Sequence, residues 1–142
     1  MISYVLDTDH LSLVQRGHKP ILRYLTSIPP QHIGITIVSV EEMMRGRLAQ
    51  VRRASNSQDR VQAYHWLWET FDFLQKFSVL KYNEQADIHF ENFRTQKVKV
   101  STQDLRIAAI TLSQEAVLVT RNRKDFELLP SLRLEDWSQS EV

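Results

Sequence analysis

The chain has 142 residues, 18 basic and 17 acidic, a formal net charge of +1, and no cysteine. That length predicts a single domain over residues 1–142 with one real core, and near-neutral charge gives no bulk attraction toward nucleic acid. Disulfide frameworks and thiolate-bound zinc are excluded, and no apolar run approaches the roughly 20 residues of a membrane span, so the expectation is a soluble cytoplasmic protein with no membrane association.

Tyr4-Val5-Leu6 predicts a short buried strand that stops at Asp7-Thr8-Asp9, and a helix follows with Asp9 as its N-cap. A second helix around Ile21 to Ser27 ends at Pro29-Pro30. Ile33 to Val38 reads as the next buried strand, and Ser39-Val40-Glu41-Glu42 opens a helix with the spacing of a capping box. After the polar turn Ala54 to Asp59 comes a long helix, Arg60 to Lys76. Val79-Leu80 makes a short strand, and Asn83 caps a helix that turns Ala86, Phe90 and Phe93 inward.

The stretch Gln103 to Phe126 is the driest part of the chain. Leu105, Ile107, Ala108, Ala109, Ile110 and Leu112 leave almost no polar face, which predicts a buried helix. Ala116 to Val119 is a continuous apolar run, as in a strand covered on both sides. Asp104 stands on the first turn of that helix, three residues after Ser101, and the elbow Thr120 to Asp125 follows the strand. Leu132-Arg133-Leu134 alternates like an edge strand. Strands alternating with helices predict an α/β fold with a mainly parallel sheet.

In such sheets functional groups collect at the carboxyl edge, where strands end and helices begin. Asp7, Glu42 and Asp125 each follow a strand, and the helix turn bearing Asp104 can reach the same edge. Two unit charges about 5 Å apart at an effective dielectric near 20 repel by roughly 3 kcal/mol, so four converging carboxylates need bound cations or protons. Oxygen ligands without cysteine or histidine suit magnesium or manganese. Each acid also has a simpler role at a helix N-terminus, Glu42 and Asp104 as capping residues especially.

LDTD after the first strand, EEMMRG after the second, DLRIAA and LVTRNRKDF, in that order, resemble the PIN domain, and more narrowly the VapC toxin ribonucleases of bacterial toxin–antitoxin pairs. The resemblance runs nearly the length of the chain and closes with LRLEDW. It implies a three-layer fold with a central, mainly parallel five-stranded sheet flanked by helices. It also implies an endoribonuclease dependent on Mg2+ or Mn2+, with Asp7, Glu42, Asp104 and Asp125 as catalytic and metal-binding residues. Thr120 and Asn122 match polar positions near the site. Arg121 belongs to a basic group, Arg121, Arg123 and Lys124, which would grip the RNA backbone with Arg45 to Arg53 and with Lys97 and Lys99. Two departures stand out. Asp9 occupies a position that is often Asn, and so either supports the metal-binding acids or caps the helix. The segment VKVST lacks the glycine often found before the third acid.

Three rivals were weighed against that reading. A haloacid-dehalogenase-like phosphatase would use Asp7 and Asp9 as a DxD pair, but TRNRKD supplies its later motifs poorly. A receiver domain would place its acid at the end of a middle strand, where this chain has Ser39. A catalytically silent PIN-fold binding module would have lost acids that are all present here. For partners, the resemblance implies RNA, a VapB-like antitoxin and a homodimer. The long helix suggests where another chain docks: Val61, Tyr64, Leu67, Trp68, Phe71 and Leu74 form one apolar face expected to pack on the domain, leaving Trp66 and Phe73 opposite as interface anchors. The alternative is that the preceding helix covers Trp66 and Phe73 as a hairpin mate.

Overall fold

Five short strands pair side by side in the computed structural model, which describes residues 1–139. They are β1 (Tyr4–Leu6), β2 (Ile33–Thr36), β3 (Ser78–Leu80), β4 (Val117–Val119) and β5 (Arg133–Glu135). Their order is β3-β2-β1-β4-β5 and every neighbouring pair is parallel, so the expected sheet is present and is wholly parallel. The edge position expected for the last strand is also observed.

The register explains the two cores. Leu6 pairs with Ile35 and Val119, and all three are fully buried on one face, with Leu11, Ile21 and Trp137 packed on them. One residue earlier, Val5 and Leu118 point to the other face, against Phe90, Ile107 and Ala108. Each such side chain contributes about 1.5–3 kcal/mol by leaving water. Helices α1 (Thr8–Gln15) and α2 (Lys19–Ser27) lie on the first face, and α5 (Glu84–Thr95) and α6 (Thr102–Ser113) on the second. Ile107 to Ile110 of α6 are wholly buried, as their composition predicts. A hairpin of α3 (Ile37–Arg53) and α4 (Ser57–Leu74) extends the first layer, and the short α7 (Arg123–Phe126) follows β4.

Three local expectations are corrected. The N-cap of α1 is Asp7, whose Oδ1 accepts the backbone N–H of His10 at 2.8 Å, and Asp9 lies inside the first turn. The second strand stops at Thr36, because the Thr36 hydroxyl accepts the N–H of Ser39 at 3.1 Å and starts α3 two residues earlier than its β-branched run suggests. Glu42 therefore sits in the second turn of α3 and is no capping residue.

The third correction concerns α4. Its inward line is Ala63, Thr70 and Leu74, small or aliphatic residues that let the helix approach α3 closely. Phe73 packs against the core and against Phe77, with ring centroids 5.3 Å apart, and Trp66 lies under the Arg47 guanidinium at 5.7 Å. Phe73 thus turns toward the core, whereas Trp66, against Arg47 of the hairpin mate, remains 39 % exposed. Val61, Tyr64, Trp68 and Phe71, expected to pack inward, are 70, 59, 60 and 46 % exposed.

Candidate active site

β1 ends at the centre of the sheet's carboxyl edge, and Asp7 is the next residue. Its backbone N–H continues the ladder to Val119 O at 3.0 Å, and its side chain is almost wholly buried. The cap bond from the His10 backbone N–H engages Oδ1.

Glu42 reaches this edge from α3. The Thr8 hydroxyl donates to its Oε1 at 2.8 Å and lies 2.9 Å from Ser39 Oγ, so the residue after Asp7 orients the second acid. Asp104 arrives on the first turn of α6, where Ser101 caps the helix by accepting the Asp104 N–H at 3.1 Å. Burial raises the Asp104 carboxyl above the ordinary aspartate range. A hydrogen bond with Ser101 opposes that rise, and the charges of Glu42, Asp7 and Asp125 add to it. Asp104 is thus within electrostatic reach of Glu42, Asp7 and Asp125.

Asp125 is held by the elbow after β4. Buried Thr120 accepts the N–H of Asn122 at 2.9 Å, and Asn122 Nδ2 donates to Asp125 Oδ2 at 3.0 Å. Thr120 and Asn122 thereby fix the elbow that carries Asp125. Arg121 points the other way, to Asp9, with Nε–Oδ2 2.6 Å and Nη2–Oδ1 2.8 Å. The Arg121 hydrogen bond holds the Asp9 carboxyl below its usual range, against the opposing effect of partial burial. A DxD phosphatase needs that second acid free, and here both of its oxygens are taken.

Sequence reasoning missed His10, whose only local signal is its place one helical turn after Asp7. The ring is fully buried; Nε2 accepts the Trp137 N–H at 3.2 Å, and Nδ1 faces Asp7 Oδ1 at 3.5 Å. Trp137 in turn stacks on Tyr24 at 5.1 Å, so β5's end is tied to the catalytic edge. Atoms of Asp7, Asp9 and His10 lie within 4.8 Å of one another, close enough for a shared cation. Arg121 and Trp137 already occupy Asp9 and His10 Nε2. By contrast, Asp7 Oδ2, Glu42 Oε2 and Asp125 Oδ1 have no hydrogen-bond partner among the described residues. These carboxylate oxygens are of the hard type that magnesium or manganese takes.

No protein-family model matches the chain. Over 96 % of its length it is 25 % identical to Ribonuclease VapC1 of Haemophilus influenzae strain R2866, covering 98 % of that protein. It is equally identical to the tRNA(fMet)-specific endonuclease VapC of Salmonella typhimurium strain LT2, over 96 % of this chain and 99 % of that one. Among solved structures, VapBC-1 from nontypeable Haemophilus influenzae superposes with a TM-score of 0.76 at 25 % identity, covering 98 % of this chain and all of that one (100 %).

Proposed function

We propose that this chain, similar along its whole length to VapC ribonucleases, is a cation-dependent endoribonuclease acting as the toxin of a toxin–antitoxin pair. What supports this most is the full-length likeness to VapC ribonucleases, together with the acids Asp7, Glu42 and Asp125, whose charges raise the Asp104 carboxyl. Mg2+ or Mn2+ fits an all-oxygen donor set. When bound, such an ion neutralises charge on the scissile phosphate and lowers the pKa of the attacking water.

The chain's own residues supply orientation. His10 N–H fixes Asp7, Thr8 fixes Glu42, Asn122 fixes Asp125, and Arg121 keeps the charge of Asp9 compensated. Exposed Arg123 and Lys124 flank the elbow, and Lys97 and Lys99 precede α6; all four are suited to sequence-independent contacts with RNA phosphates. A VapB-like antitoxin is the protein partner in this reading, with the cytoplasm as the place of action and self-association into a homodimer. The exposed face of α4, with Val61, Tyr64, Trp68 and Phe71 and with Trp66 beside them, is the antitoxin's docking surface in this reading.

The test is RNA cleavage by purified protein freed of any partner. Cutting should require Mg2+ or Mn2+, stop with EDTA and resume when the ion is restored. Hydrolysis of small phosphomonoesters without RNA cleavage would overturn the reading in favour of a phosphatase.

A further inference from the structure

Next to Glu42, α1, α3 and α4 line an open cavity of about 490 Å³ that has Thr8 and Glu42 in its wall. None of the roles assigned above uses it. Its floor is Thr70, which is fully buried although polar. The Thr70 hydroxyl accepts from Gln15 Nε2 at 3.2 Å and from Arg47 Nε at 2.9 Å, and Arg47 Nη1 donates to Gln50 Oε1 at 3.0 Å. Three long polar side chains from two helices are thereby fixed in place. Gln15 keeps an acceptor, Oε1, and Gln50 keeps a donor, Nε2, with no partner among the described residues; Arg47 Nη2 donates no hydrogen bond, although its guanidinium lies over Trp66.

Gly46 supplies an independent observation. It lies in the interior of the 17-residue α3 and lines the same cavity. A glycine there is less stable than an alanine, yet a Cβ built on it would meet nothing within 4 Å. Packing within the chain gives no reason for the missing side chain. Bare backbone at a cavity wall is what close approach by a flat ligand requires.

We propose that this cavity is a nucleobase pocket, which takes one unpaired base of the RNA strand beside the phosphate that is cut. The inference rests on the ribonuclease reading and adds a determinant of sequence preference to it. A base edge carries donors and acceptors side by side, and the free amide atoms of Gln15 and Gln50 complement both kinds. The Arg47 and Arg53 guanidinia at the pocket favour a polyanion. An antitoxin helix needs apolar surface, and the chain offers that on the outer face of α4 instead.

Gly46→Ala and Gln50→Ala test the pocket, through three measurements. These are thermal unfolding, anisotropy of labelled short single-stranded oligoribonucleotides in EDTA, and the base distribution around cut sites with Mn2+ restored. The expected result for Gly46→Ala is a Tm equal to or above wild type with RNA affinity reduced about tenfold. Gln50→Ala should keep its Tm, and its cut-site base preference should flatten. Unchanged affinity and unchanged preference in both variants would overturn the pocket while leaving the ribonuclease reading intact. Weakened antitoxin binding with normal RNA affinity would also overturn it, in favour of a peptide site. Wild-type protein that cuts no RNA would overturn the ribonuclease reading first, and the pocket with it.

Discussion

Arg121 grips both oxygens of Asp9 across 112 residues of chain, at 2.6 and 2.8 Å. The fifth carboxylate of the edge is therefore charge-compensated by Arg121, although it lies close to Asp7. The pair is about half exposed, so it is worth no more than about 1 kcal/mol to the fold. Asp9→Asn should bind Mn2+ and cut RNA within about threefold of wild type, with Tm nearly unchanged. A loss of cation affinity comparable to that of Asp7→Asn, read by calorimetric titration, would make Asp9 a ligand after all.

Asp104 gives the stability of the metal-free protein a pH dependence. Its folded-state pKa is raised, chiefly by burial, so the protonated form favours the fold. That contribution is complete below its ordinary value of 3.8 and is lost as pH rises through the elevated one. Metal-free Asp104→Asn should thus unfold at a higher temperature than wild type at pH 7, with the gap closing below the ordinary value. Saturating Mn2+ should reverse the order. Thermal scans across pH, with and without the ion, measure both effects.

His10 holds the C-terminal segment to α1 through the Trp137 N–H. His10→Ala leaves that buried donor without an acceptor, which costs about 1–3 kcal/mol in addition to the cavity created. Urea unfolding should show the loss, and His10→Gln, whose amide oxygen can stand near the former Nε2, should recover part of it. Equal destabilisation by Gln and Ala would show that the hydrogen bond contributes nothing.

The two faces of α4 should separate in mutagenesis. Trp68→Ala and Phe71→Ala should leave stability within about 0.5 kcal/mol and weaken antitoxin binding, because both side chains stand in solvent. Phe73→Ala should instead destabilise by about 2–4 kcal/mol, as a partly buried aromatic in the core, with binding preserved. The opposite pattern would restore the docking face first expected from the sequence.

How much of this was legible depends on how local the deciding interactions are. Tyr4–Leu6, the Ala116 to Val119 run and the dry helix after Asp104 read correctly because burial on both sides leaves continuous apolar composition. The carboxyl-edge rule needs only strand ends, and it puts Asp7 where the structure has it, directly after β1. The start of α3 did not, since Ile35 to Val38 looks like strand until the Thr36 hydroxyl captures Ser39 N–H. The orientation of α4 failed for another reason: both of its faces are aromatic, and Ala63 and Thr70, which permit close approach to α3, decide the matter by size. The bonds from Arg121 to Asp9 and from Trp137 to His10 span 112 and 127 residues, and no local pattern signals either.

The most direct test of the four-acid site is Asp7→Asn followed by Mn2+ titration, thermal unfolding and RNA cleavage on the same preparation. The change keeps an oxygen to cap α1 and removes one charge from the cluster. The account predicts a folded protein, with metal-free Tm at or above wild type, that neither gains stability from Mn2+ nor cuts RNA. An Asp7→Asn protein that binds Mn2+ and cleaves RNA like wild type would contradict it.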